Sequence, residues 1–518
     1  MGIIVTIASA TPGLKPDLYK TYPTYPGIWF ITPREAVAVQ SDLHPSPTTV
    51  DSGKQGQDWR GGSLRLGFAY PICSMWGRSV VPWSEKMPQH DHHDCLVSQG
   101  KFPPTQPRKA NGLPSRLQVL IVGAGPAGQL LGLLLAKQNI SVTLVEQATQ
   151  LDENPRATHY GPPAMKVFDL AGVGDELRSR GFCMRAVAWR HLDGTYIAGV
   201  NHELQKDQRN RMTALPLNQL GELLYEHSLK FPSIKYLFNR RVTDIGQDES
   251  AAWVDTVHVE TGEELRLEAD YIVGCDGAKS VVRRSLFGDQ GFPGKTWDEQ
   301  IVATNVYYDF EKFGYSDANF MIDPTHWYMA AKITSAGMWR VTYGEIPGLT
   351  NEELMARQPG KYKAMLPGHP DPDQYKMVNI SPYKVHQRLA EKMRVGRFLL
   401  AADAAHLCNP FGGLGLTGGI VDVGGLYECL IGMFSNKADA SILDVYSDAR
   451  RKKYQEVVNP ISSANLLRMF SVHPDKVLDS DEFLQACKRA ETDDDLAAEI
   501  LGSAHALTYD FTQHYSSK

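Results

Sequence analysis

Val119–Gly128 reads "VLIVGAGPAG", an apolar run that breaks into three glycines. The segment "LQVLIVG" has the texture of a buried strand, "PAGQLLGLLLAKQN" that of a helix packed through Leu and Ala, and "SVTLVEQ" that of a second strand. Together they make a βαβ unit of about 30 residues. In its first turn Gly123 permits a tight bend, Gly125 lets backbone N–H groups approach a pyrophosphate, and Gly128 lets the helix pack close to the strand. Eighteen residues past Gly128 stands Glu146, at the end of the second strand, where an acid accepts hydrogen bonds from a ribose diol. Strand, glycines, helix, strand and acid in register point to a dinucleotide and leave NAD and FAD open.

The rest of the composition narrows the class. The chain has 518 residues, 42% of them apolar and 22% charged, as in ordinary globular proteins, and its net charge of -6 argues against a nucleic-acid partner. Seven scattered cysteines without CxxC spacing indicate neither a disulfide framework nor a zinc site, so a reducing, cytoplasmic setting is expected. No run of about 18 apolar residues suggests a transmembrane segment, and "MGIIVTIASATPG" lacks the basic start of a secretory signal. Residues 1–114 are rich in Pro, Gly, Ser and His and show no sustained period, so a poorly ordered arm is expected there. Within it, His90, His92, His93 and Cys95 of "QHDHHDC" are read as a solvated polar run and not as metal ligands.

Farther along, "PPAMKVFDLAGVGDELRSRG" and "LPLNQLGELLYEHSLKF" read as helical, the latter with Leu217, Leu220 and Leu224 on one face. "EELRLEADYIVGCDG" reads as one alternating strand ending in a turn, and residues 296–392 as mixed strands rich in aromatics. "VGRFLLAADAAH" is a further strand, and from about Gly418 the chain reads as helical. A second glycine run, Gly413, Gly415 and Gly418 in "GGLGLTGG", trails its strand by some ten residues, so it cannot make the tight turn of a second dinucleotide fold.

"DYIVGCDGAKSVVRRSL" resembles the Asp-Gly motif, and "GRFLLAADAAHLCNPFGGLGLTGGIVD" the Gly-Asp motif, of the single-component flavoprotein aromatic hydroxylases, the para-hydroxybenzoate hydroxylase-like family. With the glycine turn, these three signatures stand in the family's order over residues 117 to about 430. The resemblance implies FAD as cofactor, with NADPH or NADH as a transient reductant. It places Asp403 on the ribityl chain, Pro410 beside the flavin ring, and the backbone near Gly413, Gly415 and Leu416 against the isoalloxazine. It also places Asp276 and Gly277 on the pyrophosphate side, Arg156 of "NPRATHYGPPAM" on the cofactor, and Asn218 or Gln219 near a polar position of the following helix. An anionic Asp at a strand end suits ribityl hydroxyls, and a run of N–H groups suits negative charge on reduced flavin. The glycines of 412–419 are expected to leave that backbone free to move.

Two positions depart from the pattern. Ala402 stands where the family has Gly, which puts an extra methyl near the ribityl chain, and Thr417 stands where it has Asn. For the substrate, His326, Trp327, Tyr328, Trp339 and Tyr343 offer an aromatic wall, with His326 a candidate proton acceptor for a phenol. The same residues at strand spacing also read as plain core.

The fold expected is α/β, a Rossmann-like FAD-binding domain with an inserted mixed β-sheet substrate domain and a helical C-terminal part. The segments are 115–295 (with part of the substrate domain near 185–215), 296–392, 393–432 and 433–518. The activity the resemblance implies is an NAD(P)H- and dioxygen-dependent monooxygenase acting on a small phenolic aromatic. A dehydrogenase or epoxidase on the same scaffold, and a catalytically silent FAD-binding protein, stand as alternatives. A flavin halogenase lacks its WxWxxP signature here.

Overall fold

The computed structural model describes residues 117–156 and 158–516. The expected arm and its His90–Cys95 run lie outside the described residues. The glycine turn sits in a six-stranded sheet. Its order is Arg394–Val395, Phe398–Leu400, Tyr271–Gly274, Gln118–Val122, Ser141–Val145, Ile234–Leu237. All neighbours run parallel except the first pair. Parallel strands send all their C-terminal ends to one edge, where open α/β sheets bind ligands. Gly123, Glu146, Cys275–Asp276 and Ala401–Asp403 therefore converge there.

The strands are apolar on both faces because helices cover both: Ile121, Leu144, Ile272, Val273 and Leu399 are all fully buried. Pro126–Ala136 packs on the sheet with Leu130, Leu131 and Leu135 fully buried. Leu414–Phe434 packs against that helix, burying Ile420, Val423 and Leu426. It is long and apolar enough to cross a bilayer, contrary to the expectation of no such run, yet 78% of its apolar window is buried inside the protein. That burial identifies it as a core helix.

A second, eight-stranded sheet runs His406–Leu407, Lys376–Leu389, Gly294–Tyr307, Met338–Glu345, Tyr328–Lys332, Ala318–Met321, Ala186–Arg190, Tyr196–Asn201. The two sheets share one connection of immediate consequence. Phe398–Leu400 lies in the first sheet and His406–Leu407 pairs with Arg388–Leu389 in the second, so Ala401–Ala405 bridges them.

Three expectations need correction. "EELRLEADYIVG" is two strands, Glu264–Ala269 and Tyr271–Gly274, in different sheets. The break falls at Asp270, whose carboxylate accepts the Gln118 N–H at 2.7 Å and so turns the chain into register with the glycine-turn strand. Within 296–392 a 15-residue helix, Asn351–Met365, interrupts the strands. Pro359 in its middle masks the helical pattern. Its start is set by a capping box in which Thr350 Oγ1 accepts the Glu353 N–H and Glu353 returns the bond to Thr350 N–H. Thr350→Ala is expected to cost about 1 kcal/mol in urea unfolding, with no change in cofactor binding. Finally, the C-terminal helix begins at Leu414 and not near Gly418, so Gly415, Gly418 and Gly419 are helical and only Gly413 of the run has positive φ, 61°.

Candidate active site

The strand ends open onto a cleft of ≈ 890 Å³, a size typical of small-molecule sites. Gly123, Gly125, Glu146, Arg156, Asn218, Asp276 and Gly277 all line it. At its base Gly123 has φ 101°, and a Cβ there would lie 2.5 Å from the Cys275 carbonyl oxygen. A Cβ on Gly128 would lie 2.1 Å from Gly123 O. At Gly125 and Gly277, by contrast, a Cβ meets nothing within 4 Å. The turn is packed shut behind and open in front.

Glu146 is already engaged: Oε2 accepts the Ala124 N–H and Oε1 the Ala148 N–H, each at 2.9 Å. Both oxygens keep a further lone pair for hydroxyl donors. Asp276 Oδ2 accepts the N–H groups of Val281 (2.6 Å) and Val282 (3.2 Å), which start the Val281–Phe287 helix. Its Oδ1 is buried without a partner, as is Asn218 Oδ1. Burial raises the Asp276 carboxyl above its ordinary range despite those N–H bonds. Asn218, not Gln219, faces the cleft. Arg156 is largely exposed and pairs with Asp152 at 3.1 Å.

Beyond this cleft, Asp403 lies in a single turn, Ala402–Ala404, between the two sheets. Its carboxylate is open to solvent and has no hydrogen-bond partner among the described residues. Surrounding protein nevertheless raises its pKa by desolvation, with His406 lowering it and Asp422 raising it. Pro410 opens the Pro410–Gly412 turn, and Gly413 leads into Leu414–Phe434. Gly415 and Leu416 thus occupy the first turn of a 21-residue helix, whose free N–H groups and positive dipole end favour negative charge.

The departures now have structural accounts. Ala402 has φ 56°, in the left-handed region that favours glycine. Its methyl lies against the Leu414–Phe434 helix at Gly419, where a Cβ would be only 2.7 Å from Ala402 Cβ. Ala402→Gly is expected to leave stability unchanged or raise it by up to ~1 kcal/mol, because relief of left-handed strain outweighs glycine's extra chain entropy. Thermal unfolding checks this, and a clear drop in melting temperature would contradict it. Thr417 Oγ1 accepts the Gly161 N–H at 3.1 Å, tying the helix to the start of Pro162–Ala171.

The aromatic wall is split. Tyr328, Trp339 and Tyr343 belong to a core with Tyr362 and Leu354, on the face covered by Asn351–Met365. Trp327 packs instead with Phe411 and Phe470, rings 5.4 and 5.2 Å apart, in the other core. Strand alternation sends these neighbours to opposite faces. His326 does not line the cleft. Burial lowers its pKa, and Lys361 adds to the effect.

Several site residues escaped the sequence reading. Arg340 Nε donates to Asn305 Oδ1 at 3.0 Å, and Arg340 and Asn305 both donate to the Pro155 carbonyl, beside Arg156. Asp422, fully buried in the Leu414–Phe434 helix, accepts from Arg450 Nε (2.6 Å), His406 Nε2 (2.7 Å) and Ala402 N–H (3.0 Å). Burial works to raise the Asp422 pKa, but His406 and Arg450 together hold it below the ordinary range. A signal existed for each: one arginine among alternating apolar residues, and an acid amid the otherwise uncharged, mostly apolar first half of a long helix.

Residues 116–460 match the family described as FAD binding domain. The chain is 38% identical over 377 residues to para-nitrophenol 4-monooxygenase of Pseudomonas sp. (strain WBC-3), covering 72% of this chain and 92% of the relative. The chain belongs to the FAD-dependent aromatic monooxygenases. This monooxygenase is also 34% identical to 6-hydroxy-3-succinoylpyridine 3-monooxygenase of Pseudomonas putida (strain DSM 28022 / S16), over 69% of its own length and 90% of the relative's. The crystal structure of p-nitrophenol 4-monooxygenase from Pseudomonas putida DLL-E4 superposes with a TM-score of 0.71 at 36% identity, covering 76% of this chain and 98% of that one. The monooxygenase carries the FAD-binding domain over residues 116–460 and so uses FAD.

Proposed function

We propose that FAD lies across the strand ends with its ADP half in the glycine-turn cleft and its ribityl chain at Asp403, and that a phenol is hydroxylated between the helix start at Gly413 and the second sheet. The observation that carries this reading is the unpartnered, accessible Asp403 carboxylate on the segment that bridges the two sheets. The orphaned Oδ1 atoms of Asp276 and Asn218 and the open space before Gly125 supply further acceptors and room along the same edge. The bound flavin supplies the redox and oxygen chemistry. The protein's residues bind and orient it: Glu146 accepts ribose hydroxyls, N–H groups of the glycine turn meet the pyrophosphate, and Gly415 and Leu416 N–H groups favour negative charge at the ring. The sheet face bearing Ile301, Val385 and Trp327 packs with Phe411 and excludes water from the ring's surroundings.

The resemblance to the nitrophenol and hydroxypyridine enzymes favours an electron-poor phenol or hydroxypyridine as substrate. A panel of such compounds is expected to stimulate NAD(P)H oxidation by the FAD-loaded protein, with oxygen consumed in equal amount. Oxidation unchanged by every phenol but accelerated by a non-aromatic substrate would favour a dehydrogenase instead.

A further inference from the structure

Ala402 is an L-residue held in a left-handed conformation one position before the carboxylate on which the proposed cofactor site depends, so something must hold it there. Its backbone N–H donates to Asp422 Oδ2 at 3.0 Å. Asp422 is in turn fixed from two other directions, by His406 Nε2 at 2.7 Å on the same oxygen and by Arg450 Nε at 2.6 Å on the other. Arg450 also donates to the Leu507 carbonyl at 2.6 Å, which anchors it to the Ser503–Leu507 turn near the end of the described chain. All three side chains are buried, with 0%, 3% and 2% of the Asp422, His406 and Arg450 side chains exposed. A buried carboxylate so fixed is a rigid acceptor.

We propose that Asp422 is a positioning residue for the cofactor: by accepting the Ala402 N–H it stabilises the left-handed turn that presents Asp403, and so sets FAD affinity without touching FAD. This rests on the reading of Asp403 as a cofactor residue. The conservative variant Asp422→Asn isolates the bond. Its amide oxygen turns to Arg450, which can only donate, and its NH2 group then faces His406 and Ala402. His406 adapts by changing tautomer, since its Nδ1 has no partner. Ala402 N–H cannot adapt, and its acceptor is lost. Charge alone predicts the opposite outcome, because Asp422 raises the Asp403 pKa and its neutralisation favours the anionic acceptor.

The test is titration of apoprotein with FAD, read by flavin fluorescence, with thermal melting of the same apoproteins. Asp422→Asn is expected to weaken FAD binding about tenfold, ~1.4 kcal/mol. Adding Ala402→Gly is expected to restore it to within about threefold, because glycine takes the left-handed conformation without a clamp. A purely structural role for Asp422 predicts no such rescue. Unchanged FAD affinity in Asp422→Asn, or a double variant that melts like the parent yet still binds weakly, would overturn the proposal. Should Asp422→Asn alone not fold, the double variant must fold and bind FAD, and its failure to do so counts against the proposal equally. Failure of the parent protein to bind FAD would instead sink the reading of the site itself.

Discussion

Gly125→Ala is expected to leave the protein folded with an unchanged melting temperature and to remove tight FAD binding, whereas Gly128→Ala is expected to lose both stability and FAD. The two glycines stand three residues apart in one turn but face different neighbours. At Gly125 the backbone has an ordinary φ of -68°, and an added Cβ meets no protein atom within 4 Å. The methyl would enter only the space where a pyrophosphate approaches the N–H groups. Displacing a charge-assisted contact there costs roughly 3 kcal/mol, about a hundredfold in affinity. At Gly128 the methyl would lie 2.1 Å from the Gly123 carbonyl oxygen and 3.1 Å from Ile121 Cγ2. Backbone cannot rotate away as a side chain can, so helix and strand must separate, at roughly 1–3 kcal/mol or more. Circular-dichroism melts and FAD titration of both variants check this. Normal FAD affinity in Gly125→Ala would show that the phosphate lies elsewhere.

Asp403→Asn is expected to weaken FAD binding ten- to a hundredfold while stabilising the apoprotein at neutral pH. The loss follows from replacing an anionic acceptor of ribityl hydroxyls, worth about 1.5–3 kcal/mol. The gain follows from linkage. Desolvation raises the folded-state pKa of Asp403 above its unfolded value. The folded protein therefore binds the extra proton between those two pKa values, and stability falls as pH rises through that window. An amide carries no charge and escapes this penalty. A melting temperature that rises with Asp403→Asn at pH 7 but not at pH 4, alongside weaker FAD binding, is the expected pattern. A variant that binds FAD as tightly as the parent would remove Asp403 from the site.

The parts of the site that could be read in the sequence are those built by short-range geometry. The glycine turn and Glu146 are legible because a strand, a tight turn and a helix start constrain residue types within a few positions of each other. The bridge at Ala401–Ala405 was visible only as a motif. Its partner Asp422 is held in turn by Arg450, 28 residues on, through packing of two helices, which no local pattern encodes. Pro359 hid a helix that its capping box announced. The aromatics of 326–343 form core, as their strand spacing also reads, but in two separate places. Trp327 and Tyr328 are adjacent in sequence, and pleating put one on the Phe411 side and the other beneath Asn351–Met365. The sequence puts the extra Ala402 methyl near the ribityl chain, and the left-handed backbone turns it toward Gly419.

The central claim, that this fold delivers an oxygen atom from dioxygen to a phenol, is tested most directly by turnover under 18O2. FAD-loaded protein, NADPH and the phenol that most stimulates NADPH oxidation are incubated under labelled gas, and the product is analysed by mass spectrometry. One 18O atom per hydroxylated product, at one NADPH per turnover, is the result expected. A product carrying oxygen from water, or an oxidised product with no added oxygen, would contradict it.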